Sequence, residues 1–232
     1  MQLNYPITDA KIELVVFQLG SNKSPGPDGI PTFFYQEYWN IVKQDILGTL
    51  HAFFHSSTLL KSLNKTFITL VPKIPIPEEV SHFRTISLCN VTYKIISKIM
   101  VSRLKPLMDK LISHFQNAFI QGRSITDNIL LAHEIIDSMK KKRGRKKGYG
   151  ALKIDICKAY DRVSWEFLKV VLTSMNFTDS WIQWIMMCVS SIEYSLLLNG
   201  SPTQPFTPAR GIRQDDPISP YSISRNGTSF TH

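Results

Sequence analysis

An acid at the end of an apolar stretch is the first residue in this chain that could do chemistry. Residues 151–161 read Ala-Leu-Lys-Ile-Asp-Ile-Cys-Lys-Ala-Tyr-Asp, and their alternation predicts a strand with Asp155 on the face opposite the apolar side chains. A carboxylate aimed into a cleft suits a hard divalent cation such as Mg²⁺, which takes oxygen ligands. The planar ring of Tyr160 would form a rigid surface beside that acid. Alternatively, Asp155 only stabilises a strand end or a helix N-terminus.

Two cations are predicted to meet across a hairpin. Residues 66–73 and 83–88 both read as strands, and a proline-rich turn separates them. Such a hairpin would bring Lys73 near Arg84. This pair could hold a triphosphate, because arginine binds phosphate bidentately and lysine acts as a point charge. The alternative is a pair of solvated charges on an edge hairpin.

Two further segments concentrate polar side chains. Residues 210–220 crowd cations, amides and acids into one loop, a density that is unusual for a simple turn. Residues 140–148 carry seven like charges and two glycines, which predicts a solvated loop because the charges repel one another. That basic loop could contact a phosphate backbone, direct nuclear import or serve as a mobile connection.

The remaining patterns predict the elements that position these segments. Apolar residues at helical spacing predict helices over residues 8–19, 31–54, 91–104, 126–139, 164–172 and 178–189. Asn199-Gly200 is the strongest hairpin signal in the chain. The basic, glycine-bearing loop Asn22–Gly29, which contains Lys23, could approach a phosphate backbone or be a plain interhelical turn.

Bulk composition restricts the class of partner. The 232 residues carry a formal charge of +9, which favours a polyanionic partner over a neutral one. No stretch is apolar for long enough to cross a bilayer, and no secretory signal is evident, so we expect no membrane association and an intracellular location. The three scattered cysteines argue against a zinc site and against a disulfide framework.

Five segments, in this order along the chain, resemble motifs of the reverse transcriptase of non-LTR (LINE-type) retrotransposons, especially those abundant in plant genomes. They are Ser24–Gly29, Leu70–Lys73 with Phe83–Leu88, Phe119–Asn128, Lys153–Tyr160 and Gly211–Pro220. One such match would be weak, whereas five in order and suitably spaced are specific to the family.

The resemblance implies an α+β, right-hand polymerase-like fold, with helical and hairpin fingers and an incomplete palm sheet packed on helices. The fingers, with the N-terminal helices and the basic loop, would occupy residues 1–148. A partial palm would occupy residues 149–221 and a frayed tail residues 222–232. The implied partners are an RNA template, a DNA primer and a deoxynucleoside triphosphate (dNTP), with Mg²⁺ as the cofactor.

The resemblance also implies roles for the residues around the acid. Asp155 would bind both catalytic Mg²⁺ ions, and the carbonyl of Ile156 would help to hold one of them. Tyr160 would act as a steric gate that rejects a ribose 2′-OH.

Several cations and one amide would contact nucleotide or nucleic acid. Lys73 and Arg84 would hold the incoming triphosphate, and Gln214, with Arg213, would line the nucleotide and template side. The cations expected at nucleic acid are Lys23, Arg123, Lys140, Lys141, Lys142, Arg143, Arg145, Lys146, Lys147 and Arg213.

Three departures from the family pattern bear on activity. The family has proline where Thr85 stands and glycine where Asp215 stands. A carboxylate beside Gln214 would repel triphosphate and template, and the backbone there could demand a shape that glycine takes easily. An aromatic-Ala-Asp-Asp hairpin would follow Tyr221 and is not found before His232. One carboxylate cannot hold two Mg²⁺ ions about 3.5–4 Å apart.

These observations lead us to expect a truncated, inactive reverse transcriptase domain, fingers plus incomplete palm. One alternative is a non-catalytic nucleic-acid-binding remnant that uses the basic loop and the fingers cations. The other is a pseudogene product without a stable fold, since an open palm sheet would leave an exposed strand edge.

Overall fold

The structure, a computed structural model, describes residues 2–113, 115–117, 120, 122–141, 150–152, 154, 156 and 158–221. Several predictions lie outside these residues. They concern Phe119, Lys142, Arg143, Arg145, Lys146, Lys147, Lys153, Asp155 and the tail at 222–232.

Helices surround one small sheet in the described part of the chain. The α-helices are Asp9–Gln18 (α1), Thr32–Glu37 (α2), Trp39–Ser56 (α3), Val91–Leu104 (α4), Met108–Leu111 (α5), Ile125–Lys141 (α6), Ala159–Arg162 (α7), Trp165–Ser174 (α8) and Asp179–Ser190 (α9). The strands are Lys65–Pro72 (β1), Phe83–Cys89 (β2), Glu193–Leu198 (β3) and Ser201–Pro202 (β4). Short 3-10 turns cover Gln2–Asn4, Lys61–Asn64, Val80–His82 and Lys105–Leu107. This mixture of helices and strands agrees with the expected α+β class.

Two helices begin where their capping residues predict. Thr8 Oγ1 accepts a hydrogen bond from the Lys11 amide at 3.3 Å, and Ser164 Oγ accepts one from the Phe167 amide at 3.3 Å. Each bond satisfies an amide that has no partner inside its own helix. The predicted starts of α1 and α8 are therefore confirmed.

The helix predicted over residues 31–54 is wrong in one respect. At Tyr38 the dihedrals are φ −99° and ψ 25°, and this break separates α2 from α3. Both helices contribute to the core, where Tyr35 of α2 and Trp39 of α3 are buried. Apolar spacing alone did not reveal it, because the pattern continues through the break.

The sheet has the strand order β2-β1-β3-β4. β1 pairs antiparallel with β2 and parallel with β3, and β3 pairs antiparallel with β4. The predicted hairpin between β3 and β4 is confirmed, since Asn199 and Gly200 have φ values of 51° and 82°, as a tight hairpin turn requires. The pairing of β1 with β3 joins strands on both sides of the fingers–palm boundary expected at residue 149.

Strand register divides the side chains of the sheet between two faces, because paired residues share a face and successive residues alternate. The pairs Ile68↔Ser87, Leu70↔Thr85 and Thr66↔Tyr194 define what we call the inner face. The pair Val71↔Arg84 lies on the opposite, outer face. The inner face carries the buried Thr66 and Ser87 and is therefore the side that packs on the core.

The strand predicted over residues 151–156 is not observed among its described residues. Leu152, Ile154 and Ile156 are 86%, 76% and 52% exposed, respectively. A strand is stabilised by hydrogen bonds to a neighbouring strand, and none of the described strands lies beside this segment. Residues 151, 152, 154 and 156, the described part of this segment, therefore do not belong to a strand.

The hydrophobic core is continuous across the N-terminal and C-terminal helices. Its fully buried side chains include Ile12, Val16, Leu50, Phe53, Ile95, Ile99, Met100, Leu168 and Trp181. By contrast, α6 buries none of the side chains described for it. No described helix is both long enough and apolar enough to span a membrane.

Candidate nucleic-acid interface

Two segments that are distant in sequence meet beside the sheet. The amide of Gly211 donates to the carbonyl of Val163 at 2.8 Å, and the amide of Ile212 donates to the carbonyl of Tyr160 at 2.9 Å. Trp165 Nε1 donates to the Gly211 carbonyl at 2.7 Å. These bonds hold the α7 turn, which carries Tyr160, against the polar loop at residues 210–220.

Gly211 is required at this junction for two reasons. Its φ of +92° lies in the region that glycine takes without steric cost. An added Cβ would also lie 3.2 Å from the Asp161 carbonyl oxygen and 3.3 Å from the Tyr160 carbonyl oxygen. A side chain at position 211 would therefore push the two segments apart.

The junction borders a cavity of about 220 Å³ on the inner face of the sheet, which we call the cleft. Thr85 and Gln214 lie on one side of it, and Asp161, Phe206 and Arg210 contribute to its other walls. Part of the predicted site, Gln214, therefore borders an open space that a ligand could enter.

Thr85 holds the side chain of Gln214 in place. The Thr85 hydroxyl donates to Gln214 Oε1 at 3.1 Å. The proline of the family pattern could not make this bond, so the contact follows from the departure at position 85. With Oε1 accepting, the amide nitrogen is the group that Gln214 can offer to a ligand.

Tyr160 packs against the core beside the same loop. Burial, followed by the charge of nearby Asp215, raises the pKa of Tyr160 above its ordinary value. The structure thus brings Tyr160 into the loop assembly that carries Gln214. The steric-gate role remains a prediction.

Lys73 and Arg84 lie together on the hairpin of β1 and β2. Arg84 pairs with Val71, and the Lys73 amide donates to the His82 carbonyl at 2.8 Å, so the two cations are diagonal neighbours on the outer face. Both are exposed, and Lys73 Nζ donates to the Ser81 carbonyl at 3.0 Å. Register places this pair on the face opposite Thr85, and hence away from the cleft.

Arg213 was expected at the nucleotide and template side, and the structure instead buries it, with a side-chain exposure of 2%. Its Nη2 donates to Asn64 Oδ1 and to the Cys188 carbonyl, the latter at 3.3 Å. Nη1 lies 3.8 Å from Asp216 Oδ2, and Cζ lies 3.7 Å from the ring centroid of Tyr93. In this arrangement the guanidinium stabilises the interior and does not contact solvent.

Asp216 is the anion of this buried cluster. The Tyr93 hydroxyl donates to Asp216 Oδ2 at 2.5 Å, and the Ser97 hydroxyl donates to Oδ1. Burial by itself would lower the pKa of Arg213, but facing groups, among them Tyr93, Cys89 and Asp216, outweigh it and raise that pKa. This cluster was not predicted from the sequence. The available signal was the spacing of Tyr93 and Ser97, which places two polar groups on one face of an apolar helix.

Arg123 was expected at nucleic acid and instead hydrogen-bonds to α5 and to the segment that connects α5 with α6. Its Nη1 donates to the carbonyls of Ser113 and Gln116 at 2.6 and 2.8 Å, and its Nη2 pairs with Asp109 Oδ1 at 2.7 Å. The side chain is only 12% exposed. Its donors are directed to the protein, so the prediction of a nucleic-acid contact is not supported by its position.

The Ser24–Gly29 loop packs on the junction between β2 and α4. Lys94 Nζ donates to the Ser24 carbonyl at 2.8 Å, and the Asp28 amide donates to Asn90 Oδ1 at 3.2 Å. A Cβ at Gly26 would overlap the amide nitrogen and side-chain oxygen of Asn90. The close approach that glycine permits here is therefore to the protein's own backbone.

Three of the cations predicted at nucleic acid remain on the surface. Lys23, Lys140 and Lys141 are exposed, and Lys140 Nζ lies 3.9 Å from an oxygen of Asp137. An exposed pair of this kind contributes little to stability, so these side chains could reorganise around a polyanion.

Asp215 has φ +71°, in the left-handed region. The expectation that this position needs a glycine-type backbone is confirmed, because aspartate adopts such a φ only at a steric cost.

The described residues do not by themselves form a metal site. No three of their His, Cys, Asp or Glu side chains are grouped to hold an ion. The expected ligand Asp155 is outside the described residues, and its neighbour Ile156 is part of the exposed segment.

The comparisons with known proteins agree with the family that the motifs resemble. Residues 71–228 match the family model described as reverse transcriptase (RNA-dependent DNA polymerase). The transposon TX1 uncharacterized 149 kDa protein of Xenopus laevis is 29% identical over 218 residues, which cover 94% of this chain and 16% of that protein. The retrovirus-related Pol polyprotein from type-1 retrotransposable element R2 of Nasonia vitripennis is 25% identical over 215 residues, 93% of this chain and 20% of that protein. The chain thus spans about a fifth or less of the length of these relatives.

Proposed function

Because the chain belongs to the reverse transcriptase family, we propose that it is the RNA-directed DNA polymerase domain of a non-LTR retrotransposon protein. Its relatives are named as proteins of a transposon and of a retrotransposable element, which supports this assignment. One structural observation carries it furthest. Two motif segments, the α7 turn and the loop at Gly211, are joined by backbone hydrogen bonds beside an open cleft.

The proposal keeps the right-hand arrangement with one change. Residues 1–148 would form the fingers and residues 149–221 a partial palm, except that β3 and β4 would belong to the fingers because β3 pairs with β1. An RNA template, a DNA primer and a dNTP would be the partners. Since RNA and dNTPs occur inside cells, the site of action would be the nucleus or the cytoplasm.

Because Lys73 and Arg84 lie on the face opposite the cleft, the proposal requires the hairpin to move towards the cleft when a nucleotide binds. Lys73 and Arg84 would supply positive charge to phosphate groups at the hairpin, and Arg84 could bind bidentately. Tyr160 and Gln214 would contact the sugar and base side. Phosphoryl transfer depends on positioning and charge more than on a covalent nucleophile, so such residues suffice as the protein's share.

We also propose that Asp155, with the carbonyl of Ile156, binds a divalent cation, Mg²⁺ by family expectation. A bound Mg²⁺ would neutralise charge on phosphate oxygens. The proposal predicts that Mn²⁺, used as a spectroscopic substitute, binds the chain and binds Asp155→Asn more weakly. Equal Mn²⁺ affinity of the two proteins, measured by electron paramagnetic resonance, would remove Asp155 from the ligand set.

Binding of a primer–template in the presence of nucleotides tests the proposed function. A DNA primer annealed to an RNA template should bind more tightly when the complementary dNTP is added, and a non-complementary dNTP should have no effect. Arg84→Gln and Lys73→Gln should reduce this difference. Lys61→Gln is the matched control, because Lys61 is an exposed cation that precedes β1, whereas Lys73 follows it.

A non-catalytic nucleic-acid-binding role is the second candidate, favoured by the net charge of +9. It predicts binding that weakens steeply with salt and does not respond to the complementary dNTP. That result would reject the polymerase assignment in favour of the second candidate.

A further inference from the structure

The turn that closes the hairpin of β1 and β2 is held by a histidine ring. His82 Nδ1 accepts hydrogen bonds from the backbone amides of Glu78 and Glu79, each at 3.2 Å. The side chain of Glu79 in turn accepts a hydrogen bond from the His82 amide. This reciprocal pair forms a capping box, and it encloses the 3-10 turn Val80–His82.

The acceptor that His82 supplies to this capping box depends on pH. A capping box ordinarily has Glu or Gln at this position, and the side-chain oxygen of either residue accepts at neutral pH. A histidine ring accepts at Nδ1 only when it is neutral and carries its proton on Nε2. In the protonated ring both nitrogens are donors, so Nδ1 would face two amide hydrogens. The turn therefore fits neutral His82 and does not fit its protonated form.

The charged side chains around the ring are balanced in number. The turn and the adjoining strand ends carry two acids and two cations, which are Glu78, Glu79, Lys73 and Arg84. The acids favour a protonated ring and the cations oppose it, so the loss of two hydrogen bonds on protonation sets the direction. The turn is stable while His82 is neutral and loses stability as the pH falls.

The same turn fixes both ends of Lys73. The Lys73 amide donates to the His82 carbonyl at 2.8 Å, and Nζ donates to the Ser81 carbonyl at 3.0 Å. Both acceptors belong to the segment that the His82 ring closes. Opening of the turn would remove them together and release the ammonium group.

We propose that His82 is a pH-sensitive latch at the tip of the hairpin, which fixes Lys73 while the ring is neutral and releases it when the ring is protonated. Two amides that converge on one ring nitrogen carry this inference. The latch concerns the hairpin itself and does not depend on the polymerase assignment. Where that assignment holds, the latch would control the hairpin movement that nucleotide binding requires.

Nuclear magnetic resonance of the ¹⁵N-labelled chain, between about pH 8 and about pH 5, where histidine changes its charge, tests the latch. At the upper limit the His82 ring should carry its proton on Nε2. As the pH falls, the amides of Glu78, Glu79 and Lys73 should become about tenfold less protected from exchange with water, after correction for the intrinsic effect of pH on exchange. Each of these amides loses its acceptor when the turn opens.

Matched variants separate the ring from its neighbours. His82→Gln keeps an acceptor at every pH, so its amides should stay protected, whereas His82→Ala should exchange fast throughout. Glu79→Gln removes the carboxylate but keeps an oxygen acceptor, and should retain the response to pH. His51→Gln is the control and should also retain it, because His51 is an exposed histidine of α3 that pairs with Asp9.

Several outcomes would contradict the latch. A His82 ring with its proton on Nδ1 at the upper limit, or equal protection at both limits in the parent chain, would overturn it. A response to pH that persists in His82→Gln would assign the effect to another group. Faster exchange at Glu78 and Glu79 without a change at Lys73 would show that the ring does not hold the lysine. None of these results bears on the polymerase assignment, because no nucleic acid or nucleotide is present.

Discussion

Removal of the Asp216 carboxylate should destabilise the chain more than removal of the Arg213 guanidinium. In Asp216→Ala the hydroxyls of Tyr93 and Ser97 lose the acceptor that they reach in the native interior, and a buried guanidinium loses its anion. In Arg213→Met the carboxylate keeps both hydroxyl donors, and the methionine side chain fills much of the vacated space. Removing the carboxylate of this ion pair should therefore cost more folding stability than removing the guanidinium.

The sizes of the two losses follow from what each variant leaves unpaired. Breaking a buried ion pair by removing one partner costs about 3–5 kcal/mol, and each buried polar group left unsatisfied costs about 1–3 kcal/mol. For Asp216→Ala we expect a loss of at least about 4 kcal/mol, a large share of the stability of a typical domain. For Arg213→Met we expect about 2 kcal/mol, because the remaining anion is still hydrogen-bonded and the main loss is the donor to the buried Asn64 oxygen.

Urea unfolding at neutral pH, followed by the fluorescence of the buried Trp181 and Trp184, measures both losses. If Asp216→Ala does not fold, Asp216→Asn replaces it, since the asparagine oxygen can still accept from Ser97. A double-mutant cycle of Arg213→Met with Asp216→Asn should give a coupling energy of about 1–3 kcal/mol. Equal losses in the two single variants, or a coupling energy near zero, would refute the buried cluster.

Three further predictions follow from single positions. Asp215→Gly should stabilise the chain by up to about 1 kcal/mol, because glycine adopts the positive φ without steric cost. Asp215→Asn removes only the charge and should not stabilise the chain. Equal stability of all three proteins in urea would contradict this. Gly26→Ala should cost about 3 kcal/mol or more, because the added Cβ would overlap Asn90, and an unchanged melting temperature would show that the loop is not packed there. Burial raises the pKa of Cys188 from 9.0 to about 12 and also raises the pKa of Cys89. The unfolded Cys188 thiol loses its proton near pH 9 while the native thiol keeps it, so stability should fall as the pH rises from 9 towards 12, by about 1.4 kcal/mol per pH unit for Cys188. The raised pKa of Cys89 acts in the same direction. Cys188→Ala should make that dependence shallower, and an identical dependence in the variant would disprove the effect.

Local features of the sequence were sufficient to predict most elements of the structure. Alternation on either side of a proline-rich turn predicted β1 and β2, and Asn199-Gly200 predicted the turn between β3 and β4. The glycine-type backbone at Asp215 followed from a motif position. Each of these depends on the dihedral preferences or the spacing of neighbouring residues, which the sequence displays directly.

The site was only partly predictable, because it depends on contacts between residues that are distant in sequence. Gln214 was expected at a ligand-binding surface, and it does border the cleft. Phe206 lies on a proline-broken segment and Arg210 opens the polar loop at residues 210–220; neither was recognised as bordering the cleft, because that depends on which residues face them. The pair Lys73 and Arg84 was predicted to be close together, but its separation from Gln214 depends on the register of three strands.

Only the tertiary structure decided which charged residues are ligand-facing and which are structural. Arg213 and Gln214 are adjacent in sequence, yet one is buried and the other borders the cleft. The partner that Arg213 finds in Asn64 lies 149 positions away in sequence. Sequence periodicity shows which face of a helix or strand is apolar. Which other helix or strand covers that face depends on how all the elements pack together. Whether a guanidinium meets water or a buried carboxylate is therefore a property of the assembled core.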